Sequence, residues 1–134
     1  MADISDEEFF KPVKPNTIAK SIAIGNPADG HYGIKVANQS GGYGEDVTDE
    51  ELVKAMKLLA QTEGIFTETA GGVVIGVTKK LVEQGRIRPG ELTVVCITGN
   101  GLKTQEAVES VVDPLMVRPT MASFEEALSQ RNSG

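Results

Sequence analysis

The run Leu92-Thr93-Val94-Val95-Cys96-Ile97 followed by Thr98-Gly99-Asn100-Gly101 is where the reading of this chain turns. Six consecutive residues, mostly β-branched and aliphatic, match a strand covered on both faces, as in a parallel sheet. The run passes directly into a turn with two glycines. In open parallel sheets, ligands gather beyond the carboxyl ends of the strands, so the turn lies where a site is expected. Gly99 and Gly101 let backbone approach a flat ligand, and the Thr98 hydroxyl can donate or accept a hydrogen bond. By pattern alone, such a turn after a buried strand is more often only a turn.

Upstream, Arg88-Pro89-Gly90 is a turn, and a helix is predicted from about residue 70 to 84. Val74, Val77 and Leu81 would face inward there, and Gly85 would stop it. The helix before it has a clearer start. Thr48 and Glu51 have capping-box spacing, and Asp49 and Glu50 fall where a helix N-terminus favours negative charge. Leu52, Met56 and Leu59 then form one stripe, and Gly64 is the C-terminal stop. Tyr43 to Val47 reads as a short strand. His31 to Ser40 reads as a helix through Tyr32, Val36 and Ala37, ended by Gly41-Gly42. Gly25 to Gly30 is loop chemistry. The apolar stretch from Thr17 to Ile24 is too short to separate helix from strand, although Asn16 or Thr17 could cap a helix. Residues 1–16, charged and carrying Pro12 and Pro15, are expected to be poorly ordered.

Downstream, a strand-like stretch lies around Leu115 to Val117. Ser123 and Glu126 have the spacing of a second capping box, for a short helix of Phe124, Ala127 and Leu128. Residues 129–134 are expected to form a disordered tail. Alternating strands and helices imply a single α/β layered domain over residues 17–128.

The bulk properties exclude several classes. The chain has 134 residues, 40% of them hydrophobic and 4% aromatic, with no Trp, so its core must be aliphatic. A net charge of −6, without a Lys/Arg cluster, argues against a nucleic-acid partner. The apolar stretches are too short for a bilayer, and the acidic start does not read as a secretory signal. One Cys and one His cannot build an internal disulfide or a multi-histidine metal site. Cys96 is expected in the core and His31 at the surface. A cytoplasmic protein is the plain expectation.

Four collinear segments add a resemblance. Ile97-Thr98-Gly99-Asn100-Gly101-Leu102-Lys103-Thr104 resembles the Thr-Gly-(His/Asn)-Gly-Leu-Lys motif near the C-terminus of threonine synthases. The stretch from Thr17 to Pro27 resembles that family's Thr-Ile-Ala…Ile-Gly-Asn-Pro. Val47 to Leu52, with Glu63-Gly64-Ile65, resembles its Val-Ser-Asp-Glu-Glu helix and Glu-Gly-Ile turn. Glu68-Thr69-Ala70-Gly71-Gly72 resembles its Glu-Pro-Ala-Gly-Gly turn, with Thr69 in place of the usual Pro. The likeness covers about residues 11–128.

This resemblance implies part of the large subdomain of a fold-type II pyridoxal-phosphate enzyme, a three-layer α/β structure with a mainly parallel sheet flanked by helices. Such a lyase converts O-phospho-L-homoserine and water to L-threonine and phosphate. Thr98 occupies the position expected to hydrogen-bond the pyridine nitrogen, with Gly99, Asn100 and Gly101 shaping the rim. Gly25 and Asn26 are candidates for approach to the ring or substrate, and a structural turn explains them equally well. Glu68 reads as an exposed structural carboxylate.

The family's Schiff-base Lys and its Gly-rich phosphate loop belong to an N-terminal half with no counterpart in these residues. Lys20 and Lys103 lie nearest the motifs, and neither matches the Schiff-base position. The expectation is a C-terminal portion that does not retain pyridoxal phosphate alone, needs the missing half, and works as a homo-oligomer. The alternatives are a stand-alone non-catalytic binding or assembly module and a fragment of a threonine or serine dehydratase. The dehydratases usually place a Ser-Gly-Gly-Asn-like turn at the strand end.

Overall fold

The computed structural model describes residues 11–112 and 114–132. Its α-helices are α1 (Gly30–Ser40), α2 (Asp49–Glu63), α3 (Thr69–Glu83), α4 (Glu109–Val112) and α5 (Met121–Asn132). Three short 3-10 turns accompany them at Lys20–Ile22, Gly101–Lys103 and Gln105–Ala107. Residues 1–10, the greater part of the N-terminal segment read as poorly ordered, lie outside the described residues.

Helix α2 starts as its sequence dictates. The Thr48 hydroxyl accepts from the Glu51 N–H at 3.2 Å, and the Glu51 carboxylate accepts from the Thr48 N–H at 2.7 Å. Two of the donors that a helix start leaves unpaired are thereby satisfied. Gly64 ends the helix at φ 67°, a left-handed conformation that glycine adopts without a Cβ penalty. Leu52, Met56 and Leu59 are buried, as their spacing predicts, and Ala55 joins them.

Helix α3 packs along α2 and forms the main helix pair. Its inner face differs from expectation. Val74, Val77 and Leu81 are only half-buried, while Thr69, Gly71, Gly72 and Gly76 are the buried positions. The reason is closeness of approach. A Cβ on Gly72 would stand 2.6 Å from Met56 Cγ and 2.9 Å from the Leu52 carbonyl. Bulk on this face would push the helices apart. Around this pair Ala19, Leu52, Met56 and Val108 make the core, with Val47, Val53, Val73 and Ala107 packed against it.

The strands read from the sequence do not pair. Residues 92–98 make no backbone hydrogen bond among the described residues, and Leu92 and Val94 are 95% and 82% exposed. Cys96, expected in the core, is exposed. A strand is completed by its neighbours, and among the described residues the one β-bridge is isolated and antiparallel, between Thr67 and Asn100. The layered parallel sheet is therefore not formed among these residues.

Residues 43–47 are likewise an irregular connection, held to the end of α3 by side chains. Arg86 lies over the Tyr43 ring at 4.5 Å, Gln84 donates to Glu45 at 2.6 Å, and Lys80 donates to the Asp46 carbonyl at 2.9 Å. Residues 115–117 are also irregular. The stretch from Thr17 to Ile24 yields only the Lys20–Ile22 turn, and the Thr17 hydroxyl donates to Asp49 at the start of α2. Helix α1 has the expected span and a left-handed Gly41 stop, but no residue of it is buried.

Helix α5 begins before the proposed Ser123 and Glu126 box. The Thr120 hydroxyl accepts from the Ser123 N–H, and Ser123 sits within the helix. The helix runs to Asn132, so residues 129–132, read as tail, are helical.

Candidate functional site

The turn that carries Thr98 lies across residues 66–69, the lead-in to α3. The Gly101 N–H donates to the Phe66 carbonyl at 3.0 Å. The Gly99 carbonyl accepts twice, from the Thr67 hydroxyl at 3.0 Å and from the Glu68 N–H at 3.1 Å. The Thr69 N–H donates to the Thr104 hydroxyl at 3.2 Å. Two stretches separated by about thirty residues, each carrying a motif from the sequence, thus form one unit. Within the turn, the Asn100 side chain accepts from the Leu102 N–H at 2.9 Å, as an Asx-type cap for the 3-10 turn.

Thr98 is exposed, and its hydroxyl makes no hydrogen bond among the described residues. It stands at the carboxyl end of the unpaired extended run. Gly99 and Gly101 have a different use. A Cβ on Gly99 would run into the Glu68 carboxyl, and one on Gly101 would meet the Phe66 ring at 2.5 Å. Close packing on residues 66–68 therefore already accounts for both missing Cβ atoms, without a ligand.

Glu68, read as an exposed carboxylate, is only 9% exposed and lies beneath Gly99, with the Lys103 amine 3.9 Å away. Sequence reading missed Phe66, Thr67 and Thr104, whose roles arise from the crossing of the two segments. Gly25 and Asn26 share no hydrogen bond with this unit. The Gly25 carbonyl accepts from Val13 N–H at 3.0 Å, and a Cβ there would strike the Val13 carbonyl. Gly25 is thus needed where the chain doubles back on residues 13–15. Asn26 is exposed.

Against the pyridoxal group implied by the resemblance, these residues fit one contact, a free neutral hydroxyl for a ring nitrogen. Among the described residues no enclosed amine accompanies it. Eight of the nine lysines are exposed, and the ninth, Lys80, pairs with Glu51 at 3.0 Å. Beside the turn, Phe66, Leu102, Gln105, Val108 and Pro114 line an open hollow of about 470 Å³. Among the described residues no group of His, Cys, Asp and Glu could hold a metal, and no helix is long and apolar enough to cross a membrane.

Comparison with known proteins agrees with the motifs. The chain is 43% identical over 100 residues to a threonine synthase of Halalkalibacterium halodurans, covering 75% of this chain and 28% of that protein. It is 42% identical over 117 residues to a threonine synthase of Methanocaldococcus jannaschii, covering 87% of this chain and 29% of that protein. A threonine synthase of a Bacillus species is 47% identical over 90 residues, covering 67% and 26%. The chain thus spans between a quarter and a third of the length of these relatives. The family described as pyridoxal-phosphate dependent enzyme matches residues 2–99, which include the α2–α3 pair and the run up to Thr98 and Gly99. On that match, which covers most of its length, the chain belongs to the pyridoxal-phosphate-dependent enzymes.

Proposed function

We propose that this chain is the C-terminal portion of a threonine synthase, a lyase that converts O-phospho-L-homoserine and water to L-threonine and phosphate. The observation that carries the reading is the free Thr98 hydroxyl, exposed on a turn that matches the family's motif in order and spacing. Bound pyridoxal phosphate supplies the electron sink for γ-elimination and for the β-addition of water. Thr98 offers its hydroxyl to the ring nitrogen. A neutral partner does not enforce a charge there as a carboxylate does, so it sets the strength of the sink without fixing a pyridinium.

Gly99, Asn100 and Gly101 form the rim that holds Thr98 at the mouth, stiffened by their bonds to residues 66–68. Gly25 and Asn26 contribute a second loop to the mouth once the sheet is assembled. In the complete enzyme, strands outside this chain pair with residues 92–98 and create the three-layer α/β architecture. The chain alone does not retain the cofactor, because its lysines are solvated or ion-paired and offer no enclosed amine. The working protein is a cytoplasmic homo-oligomer.

The test is complementation. The purified chain, mixed with pyridoxal phosphate, is expected to leave the spectrum of the free cofactor unchanged. With the remaining N-terminal part of a related threonine synthase added, cofactor absorbance should shift and phosphate should be released from O-phosphohomoserine. Release that persists undiminished in Thr98→Val would remove Thr98 from the site. A folded chain that never engages the N-terminal part would favour a stand-alone module.

A further inference from the structure

The far end of the Thr98 turn is fastened by a bond that depends on the identity of residue 69. We propose that Thr69 and Thr104 are a positioning pair, in which the Thr69 backbone N–H, through the Thr104 hydroxyl, locks residues 99–104 onto the start of α3. That the locked turn presents Thr98 to a cofactor rests on the function proposed above; the lock itself does not.

Thr69 is the first residue of α3, so its N–H is one of the donors a helix start leaves without an intrahelical acceptor. The preceding Glu68 makes no side-chain capping bond. The Thr104 hydroxyl, 35 residues further on, takes the N–H at 3.2 Å. A helix-capping need and a loop-anchoring need are therefore met by one bond. Near the turn's start, bonds from Gly101 and to Gly99 already fix the chain. At its far end the remaining polar link to residues 66–69 is the long Lys103 to Glu68 pair, whose lysine is 65% exposed, and such pairs contribute little; the next packed residues, Ala107 and Val108, hold the chain beyond the turn.

The Thr69 side chain shows which part of the residue matters. It is fully buried, yet its hydroxyl oxygen has no hydrogen-bond partner among the described residues. The hydroxyl takes no part in the bond to Thr104, which is made by the backbone N–H alone. The backbone would accept Pro here. Pro suits the first helical position, and Glu68, at φ −70° and ψ 172°, has the extended conformation a residue before Pro requires. Pro at 69 keeps the helix start but removes the N–H, replaces the buried Thr side chain with a ring, and sets its Cδ toward the Thr104 hydroxyl where the hydrogen had been. The Thr that stands in this chain where the resembling motif has Pro is thus the source of the lock.

Amide hydrogen exchange on the full chain, without cofactor, tests this in Thr69→Val, Thr69→Pro, Thr104→Val, Thr104→Ser and the Thr69→Pro/Thr104→Val pair. The reporters are the Gly101 N–H and the Glu68 N–H, which cross between the two segments. Thr69→Val keeps the donor, Thr104→Ser keeps the acceptor, and both should exchange like the parent. Thr104→Val should exchange faster by about fivefold, the equivalent of one ordinary hydrogen bond, and Thr69→Pro, whose ring also crowds residue 104, by at least as much. The double variant should be no faster than Thr69→Pro alone. The pair is overturned if Thr69→Val loosens the turn as much as Thr69→Pro, if Thr104→Ser behaves like Thr104→Val, or if the double variant shows the product of both effects. Circular dichroism identifies any variant that fails to fold; if Thr69→Pro does, the contrast between Thr104→Val and Thr104→Ser decides the matter. The expected exchange pattern together with phosphate release indifferent to Thr98 would leave the lock standing and sink the functional reading instead.

Discussion

Gly101 and Gly33 show how differently a missing Cβ can be used in one chain. Gly101 rests on the Phe66 ring, with three ring carbons within 2.6 Å of where a Cβ would be. Gly101→Ala must therefore displace the ring or the turn, and should lower stability by about 1–3 kcal/mol in urea unfolding. Gly33 lies inside α1 with open space around it. Gly33→Ala is expected to raise stability by about 0.5–1 kcal/mol, because only conformational entropy changes. Thr98→Val should be near neutral in the same measurement, since the residue is exposed and unbonded within the chain. On the proposed function its effect is expected in cofactor binding instead. Sequence alone located Thr98 at the end of an extended run. It could not show that the flanking glycines serve Glu68 and Phe66, because those contacts join segments about thirty residues apart.

Helix α2 was legible because its signals are local: a capping box, a stripe at helical spacing and a glycine stop. Helix α3 was legible in span but not in orientation, since periodicity follows large apolar residues and its packed face is made of small ones. Residues 92–98 were legible as extended and not as exposed, because whether an extended run is paired depends on contacts with distant segments, which local residue pattern does not report. The cap of α2 also sets an acid sensitivity. The Thr48 N–H, and then Lys80, hold the Glu51 carboxyl below its ordinary value, and the Lys54 amine does the same for Glu50. Carboxyls lowered in the folded state stabilise it above their unfolded values, and that contribution is lost as pH falls through the lowered ones. The difference in melting temperature between the parent and Glu51→Gln should therefore be largest near neutral pH and shrink in acid. A difference that stayed constant with pH would mean that the Glu51 charge plays no part. Thr48→Ala, which removes the cap acceptor, should cost about 1 kcal/mol at neutral pH.

At the scale of the whole molecule, the unpaired run with exposed Leu92 and Val94 is the dominant feature, joined by Met116 at 91% exposure. An unpaired extended run with apolar side chains is a template for pairing, as a sheet edge is, so the chain alone should self-associate with rising concentration in size-exclusion chromatography. A monomer at all concentrations would show that the run is covered in solution. The same exposure fits a chain that spans between a quarter and a third of its relatives' length. The most direct test is phosphate release from O-phosphohomoserine by this chain combined with the N-terminal part of a related threonine synthase and pyridoxal phosphate. The proposed function predicts release from the mixture, none from either part alone, and a large loss with Thr98→Val. Release by this chain alone, or equal release with Thr98→Val, would contradict it.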